Sequence, residues 1–256
     1  MKSAAIRHNA RTNSGPSVVH SARSSNAKIL VVDVGGTNIK ILATGQAQPR
    51  KIPSGPRMTA KQMVRDVQRA AKDWDYEFVS IGYPGPVSHG LPFREPHNLG
   101  GGWVRFDFHR AFGRPVRLVN DAVMQAIGSY RGRRMLFLGL GTGLGTAMII
   151  DGAVEPMELA HLPYKNGKTY EDYLGLRGLR RLGKKKWRQY VFKVARELVA
   201  ALSADYVVFG GGNSKKLKKL RGNMRLGSNR NAFIGGFRLW GVGHTKISMQ
   251  TLTTGS

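Results

Sequence analysis

The chain contains no cysteine, which excludes a disulfide scaffold, a cysteine nucleophile and any thiolate-bound zinc. No apolar run approaches the ~20 residues that a membrane helix needs, so no spanning segment is expected. The N-terminal residues carry positive charge without the apolar stretch of a secretory signal, and a cytoplasmic protein is the expectation. Acidic residues are also scarce. Fifteen Asp and Glu stand against 41 Lys and Arg, a formal net charge of +26. A field of that sign attracts polyanions, whether nucleic acid, anionic membrane or inorganic polyphosphate, and charge alone does not choose among them. Hydrophobic residues make up 41% and aromatics 9% of the 256 positions, enough for a packed core. That length fits one large domain or two joined lobes.

Residues 1–27 are rich in Ser, Asn, Ala and Arg without an apolar period and read as a disordered basic tail. Order is expected from Lys28-Ile-Leu-Val-Val-Asp33, a buried-strand pattern joined by a Gly-Gly turn to the strand Thr37–Ala43. Helical spacing follows over 59–74, then strands at Phe78–Gly82 and Val116–Asn120, the latter running into a helix over 121–130. The second half repeats the logic. Met135–Leu140 and Thr146–Ile150 form a hairpin, and 186–203 reads as an amphipathic helix with Trp187, Tyr190, Val191, Val194, Leu198 and Leu202 on one face. Tyr206–Phe209 is a strand ending in three glycines, after which a Lys-rich helix is expected. Two similar α/β lobes follow, over 28–121 and 122–241, with a cleft between them and a C-terminal tail over 242–256.

Four motifs carry chemistry. In Asp33-Val-Gly-Gly-Thr-Asn-Ile-Lys40, Gly35 and Gly36 let backbone N–H groups crowd a ligand, Thr37 adds a hydroxyl and Lys40 a cation, and Asp33 is placed to hold hydrated Mg²⁺. Gly139-Leu-Gly-Thr-Gly-Leu-Gly145 has the same character, with Gly141, Thr142 and Gly143 at its centre. A strand follows it, so it is not a dinucleotide fingerprint. Asn120-Asp121 sits where a strand meets a helix, the ligand-facing edge of an α/β sheet. Asp121 there is either a helix cap or a general base. Glu158-Leu-Ala-His161, followed by Glu171, supplies acceptors and donors suited to a polyhydroxylated ligand, although such a pair is also a common structural feature.

Taken together and in this order, these motifs resemble the sugar kinases of the ROK family, within the actin-like ATPase (ribonuclease H-like) fold, and more closely its polyphosphate-using glucokinase branch. Glu158–Pro163, Tyr170–Gly175, Gly183–Trp187, Phe209–Leu217 and Asn231–Trp240 also carry the resemblance, which spans about residues 28–241. It implies a homodimer that transfers a phosphoryl group to the 6-hydroxyl of glucose, from polyphosphate or ATP, with Mg²⁺ and without zinc. By the same resemblance Asp121 is the base, and Asn98, Asn120, Glu158, His161 and Glu171 hold the sugar. Position 160 departs from the pattern, with Ala in place of Gly.

Residues 177–225 hold 15 Lys and Arg against two acids. Lys184, Lys185, Lys186, Lys193, Lys215, Lys216 and Lys218 are the candidates for an extended polyphosphate track; a solvated basic face is the plainer reading. Two alternatives remain open at this level: an ATP-dependent kinase of another hexose, and a basic nucleic-acid-binding protein that retains a sugar-binding core.

Overall fold

The computed structural model describes residues 26–228, 230–243 and 247–249. The basic tail over 1–27 lies outside them except for its last two residues, and the tail over 242–256 lies mostly outside.

The first half opens with an antiparallel meander, β1 (Ile29–Val34), β2 (Asn38–Ala43) and β3 (Arg50–Pro53). Helix α1 (Ala60–Ala70) and strand β4 (Phe78–Tyr83) follow. A two-strand hairpin of β5 (Val87–Ser88) and β6 (Leu91–Pro92) then leads to α2 (Phe108–Phe112), β7 (Val116–Asn120) and α3 (Asp121–Ser129). The second half repeats the scheme with a meander of β8 (Arg134–Leu140), β9 (Leu144–Ile150) and β10 (Ala153–Met157). After it come the hairpin β11 (Pro163–Lys165) and β12 (Lys168–Thr169), then α4 (Tyr170–Leu174) and α5 (Leu176–Ala201). The chain continues through β13 (Tyr206–Gly210), β14 (Met224–Leu226), α6 (Asn231–Arg238) and β15 (Ser248–Met249). One sheet has the order β3-β2-β1-β4-β7 and the other β14-β13-β8-β9-β10-β15.

Side-chain alternation on these strands builds three apolar layers. Leu30, Val32 and Val34 of β1 face α1 and α2 in the first core. Ile29 and Val31 face the other way, joining α3, α6 and the inner face of the second sheet, Met135 and Phe137 among them. Leu136, Leu138 and Leu140 face α4 and α5. The result is five layers, with α3 and α6 sandwiched between the sheets. Among the described residues no helix is long and apolar enough to cross a membrane.

Three expectations shift. The helix expected over 59–74 starts on cue, because Thr59 accepts from the Gln62 amide, but it ends at Ala70. There Arg50 reaches the Ala70 carbonyl, forks onto Asp73 and lies 4.0 Å over the Trp74 ring, holding the chain in a turn. The amphipathic helix begins ten residues earlier than expected and is broken at Gly183, whose φ of 72° and ψ of 162° are non-helical. Beyond β13 there is no Lys-rich helix, only a 3-10 turn over Ser214–Lys216. Left-handed backbone at Lys219 and Gly222 prevents helix there and turns the chain into β14.

Helix α6 was not expected from periodicity, and it is the element that joins the halves. Its Gly235 lies against Met124 of α3 so closely that a Cβ would meet the Met124 carbonyl oxygen at 1.8 Å, and a Cβ on Gly128 would meet the Asn231 carbonyl oxygen at the same distance. Gly236 presses on Val31 of β1. Ser80 donates to the Gly236 carbonyl at 2.6 Å and accepts from the Trp240 indole at 3.0 Å, while Arg238 binds the α3 C-terminal carbonyl of Ile127 at 2.7 Å. Gly128→Ala is therefore expected to cost about 3 kcal/mol or more by overpacking against backbone. Gly101, which has no atom within 4 Å of its Cβ position, is the control, with a Gly101→Ala change expected within about 0.5 kcal/mol of zero. Urea unfolding midpoints at constant m-value measure both.

Candidate active site

The two sheets open onto a cleft of about 1840 Å³. Each wall carries a glycine turn. On the first, the Gly35 amide donates to the Asn38 carbonyl at 3.2 Å, and Ser54 donates from its hydroxyl to the Gly35 carbonyl at 2.6 Å and from its amide to the Thr37 carbonyl at 3.0 Å. Gly36 abuts Asn98, whose Cβ would lie 2.8 Å from a Cβ at 36. The loop carrying Asn98 is held by Glu95, which accepts from the Trp103 and Val104 amides. On the second wall, Gly139–Gly145 is braced from two elements. Asn213, just past β13, donates from its backbone to the Leu140 carbonyl and from its side chain to the Gly141 carbonyl, both at 2.9 Å. The Leu176 amide, at the start of α5, donates to the Thr142 carbonyl at 3.1 Å.

Asp121 lies on the cleft lining, at the first turn of α3. Asn120 is the cap. Its Oδ1 accepts from the Ala122 and Val123 amides at 2.9 and 3.3 Å, and its Nδ2 donates to the Gly85 carbonyl at 2.9 Å. That leaves one Nδ2 hydrogen for a ligand. With Asn120 as the cap, the Asp121 carboxylate accepts from the Ala122 amide at 2.7 Å. Burial first, and the neighbouring Asp33 carboxylate second, push the Asp121 carboxyl up to about 7, against the pull of backbone amides. Burial also raises Asp33, opposed by Lys40 at 3.5 Å across the β1–β2 pair.

Glu158, His161 and Glu171 also reach the cleft lining, on the second lobe. Glu158 precedes a 3-10 turn over Leu159–His161 that ends in His161, whose Nε2 is 3.7 Å from the carboxylate, and both are well exposed. Glu171 is already engaged. It accepts from the Leu144 amide at 3.2 Å and from Arg177 at 3.3 Å, and its Oε2 would meet a Cβ on Gly143 at 2.4 Å. Gly35, Gly36, Gly141, Thr142, Gly143, Asn98 and Asn120 line the same cleft. Asp33, Thr37 and Lys40, on the same hairpin, are not among its lining residues, nor are the seven track lysines. Of these, Lys193 is 3.8 Å from Glu197 and Lys216 donates to Asn213 at 2.7 Å. Sequence reasoning missed Arg177 and Arg180, which do line the cleft. No local motif marks them; they reach the cleft because α5 starts on the Thr142 loop. Among the described residues no three metal-ligating side chains cluster.

A five-layer arrangement of two meander-based lobes around a glycine-walled cleft is the actin-like ATPase fold. Solved structures agree. The chain aligns with an inorganic polyphosphate/ATP-glucomannokinase from Arthrobacter sp. strain KM at a TM-score of 0.73 and 22% identity, covering 86% of this chain and 100% of that one. It aligns with a ROK family glucokinase from Streptomyces griseus, solved with glucose and AMPPNP, at 0.64 and 18%, covering 85% and 100%. Polyphosphate glucokinase of Mycobacterium tuberculosis is 28% identical over 160 residues, 55% of this chain and 58% of that protein. The match thus spans little more than half the length of that relative. The ROK family model matches residues 29–156, half of the chain, and the chain belongs to the ROK family.

The raised Asp121 carboxyl has a stability signature. Between its ordinary value of 3.8 and about 7 the folded protein holds a proton that the unfolded chain has released, so wild-type stability falls as pH rises through that window. Asp121→Asn removes this linkage. In metal-free buffer the variant is expected to be more stable than wild type above about pH 7, on the order of 3 kcal/mol, with the gap closing below about pH 4. Denaturant titrations across pH measure it, and parallel pH dependences would show that the carboxyl is not held protonated.

Proposed function

We propose that the protein is a sugar kinase that transfers a phosphoryl group from inorganic polyphosphate, with ATP as a second donor, to the 6-hydroxyl of glucose. The observation that carries this reading is Asp121, a carboxyl raised to about 7 between two glycine turns on opposite walls of one cleft. A group with that affinity for protons is suited to take one from a hydroxyl at neutral pH. In the proposed reaction the hexose oxygen forms a bond to phosphorus as its proton passes to Asp121. The anhydride P–O bond breaks, and the shortened donor leaves as an anion. Amides of Gly36, Thr142 and Gly143 in the two turns face the charge that gathers on the transferring oxygens, with Thr37 and Lys40 in support. Asn98, Asn120, Glu158, His161 and Glu171 hold the sugar hydroxyls.

Asp33 would hold Mg²⁺, through water. A buried carboxylate with one lysine partner and a second carboxyl nearby suits a divalent cation. When bound, the ion neutralises donor phosphate charge. The likeness to polyphosphate-using kinases and the exposed lysines of α5 and the Ser214–Lys216 turn support polyphosphate over nucleotide as the principal donor. The same family relationship supports a cytoplasmic homodimer.

Glucose phosphorylation measured with polyphosphate and with ATP, side by side, tests the reading, and mannose in place of glucose tests the hexose. No turnover with either donor would overturn it. Asp121→Asn is expected to lower kcat by ~10²–10⁴ with both donors while glucose binding, measured by titration, is retained. Glu158→Ala is expected to raise the hexose KM about tenfold, the effect of losing one ligand hydrogen bond. An unchanged KM would remove Glu158 from the sugar site.

A further inference from the structure

The first segment of α5 grows directly out of the second glycine turn. The Leu176 amide is bonded to the Thr142 carbonyl, and Gly175 sits so close that a Cβ there would be 3.0 Å from that same oxygen. At a helical rise of about 1.5 Å per residue, Arg180 stands about 6 Å further along the axis, and Arg177 and Arg180 both line the cleft. Three arginines occupy this segment, and two of them are engaged. Arg177 lies 3.3 Å from Glu171 and 3.6 Å from Asp172. Arg181 donates to the Asp172 carbonyl at 2.9 Å and lies 4.7 Å over the Tyr173 ring. Arg180 is exposed and has no carboxylate, carbonyl or ring partner among the described residues.

Just beyond it, Gly183 breaks the helix in left-handed backbone. The exposed Lys184, Lys185 and Lys186 follow at once. An uncommitted cation inside the cleft is thus joined, through a bend, to a cationic cluster outside it. The other bracing element of the same glycine turn, Gly211–Asn213, contributes no free cation at the cleft: Gly211 lines it, and Lys216 is tied to Asn213.

We propose that Arg180 is a specificity-determining residue for the donor, binding the anionic units of linear polyphosphate that trail behind the transferring phosphoryl group and handing the chain out past Gly183 to Lys184–Lys186. The inference rests on the phosphotransfer reading above. A polyphosphate chain carries charge along its whole length, so its trailing units meet Arg180. A nucleotide ends its charge after three phosphates. A planar guanidinium is suited to bridging phosphate oxygens two at a time.

The test is donor kinetics on the full chain with Arg180→Gln, Arg180→Lys and, for the loss of an exposed charge that does not line the cleft, Lys61→Gln on α1. Arg180→Gln is expected to raise the KM for long-chain polyphosphate about tenfold while the KM values for ATP and glucose stay within about twofold. Arg180→Lys is expected to restore part of the loss, and Lys61→Gln to resemble wild type. Equal shifts for polyphosphate and ATP, or none for either, would overturn the proposal while leaving the kinase reading intact. Wild-type protein that phosphorylates glucose from ATP but not from polyphosphate would overturn the polyphosphate reading and this inference together.

Discussion

The contact between α3 and α6 is the constraint on which the rest depends. Two glycines, Gly128 and Gly235, let the helices meet backbone to backbone, and a side chain on either would collide with a carbonyl of the other. Close approach fixes the distance between the sheets on each side, because α3 carries the end of the first and α6 returns from the second to press Gly236 on Val31. The polar groups around this contact are satisfied internally: Ser80 with Gly236 and Trp240, Asn231 with Ser129, Arg238 with the end of α3. A buried network with every member paired resists slippage in a way that apolar packing alone does not. Asp121 begins α3, so its position in the cleft inherits the rigidity of that seam.

Charge is then distributed against this frame in an uneven way. The chain is strongly cationic, yet Asp121 on the cleft lining and its neighbour Asp33 are two carboxyl groups whose proton affinity is raised. Burial opposes the ionisation of both, and the Asp33 carboxylate further disfavours that of Asp121. Lys40 relieves Asp33 and not Asp121. The asymmetry separates the pair into one carboxyl with a permanent cationic neighbour and one without, the kind of division by which two like groups acquire different tasks.

Much of this was legible in the residues. The β1–β2 and β8–β9 hairpins follow from apolar runs split by glycine, and the face of α5 from its period: Trp187, Val191, Val194 and Leu198 are all buried as read. What escaped did so for physical reasons. Helix α6 has two adjacent glycines in only eight residues, so its periodicity is weak and its purpose lies in contacts more than a hundred positions away. The break at Gly183 is invisible in the hydrophobic pattern, since apolar residues continue in step on either side. The Lys-rich helix was expected because its composition allows one; left-handed backbone at Lys219 and Gly222 decided otherwise. Of the site residues, those on strand ends and glycine turns were found by local motif. Arg177 and Arg180 become visible only once α5 is seen to start on the Thr142 loop. The commitment of Glu171 to a backbone amide has no sequence signature at all.

That commitment has a consequence for how the two substrates are taken up. On the proposed reading Glu171 serves the sugar, yet here it clasps the Leu144 amide of the phosphate-side turn and the Arg177 guanidinium. A single carboxylate shared between acceptor and donor regions makes their occupancies thermodynamically linked. Whatever hexose binding does to the affinity for the donor, donor binding must do in equal measure to the affinity for hexose. Communication between the sites then needs no movement of a whole lobe; the exchange of one hydrogen bond is enough to carry it.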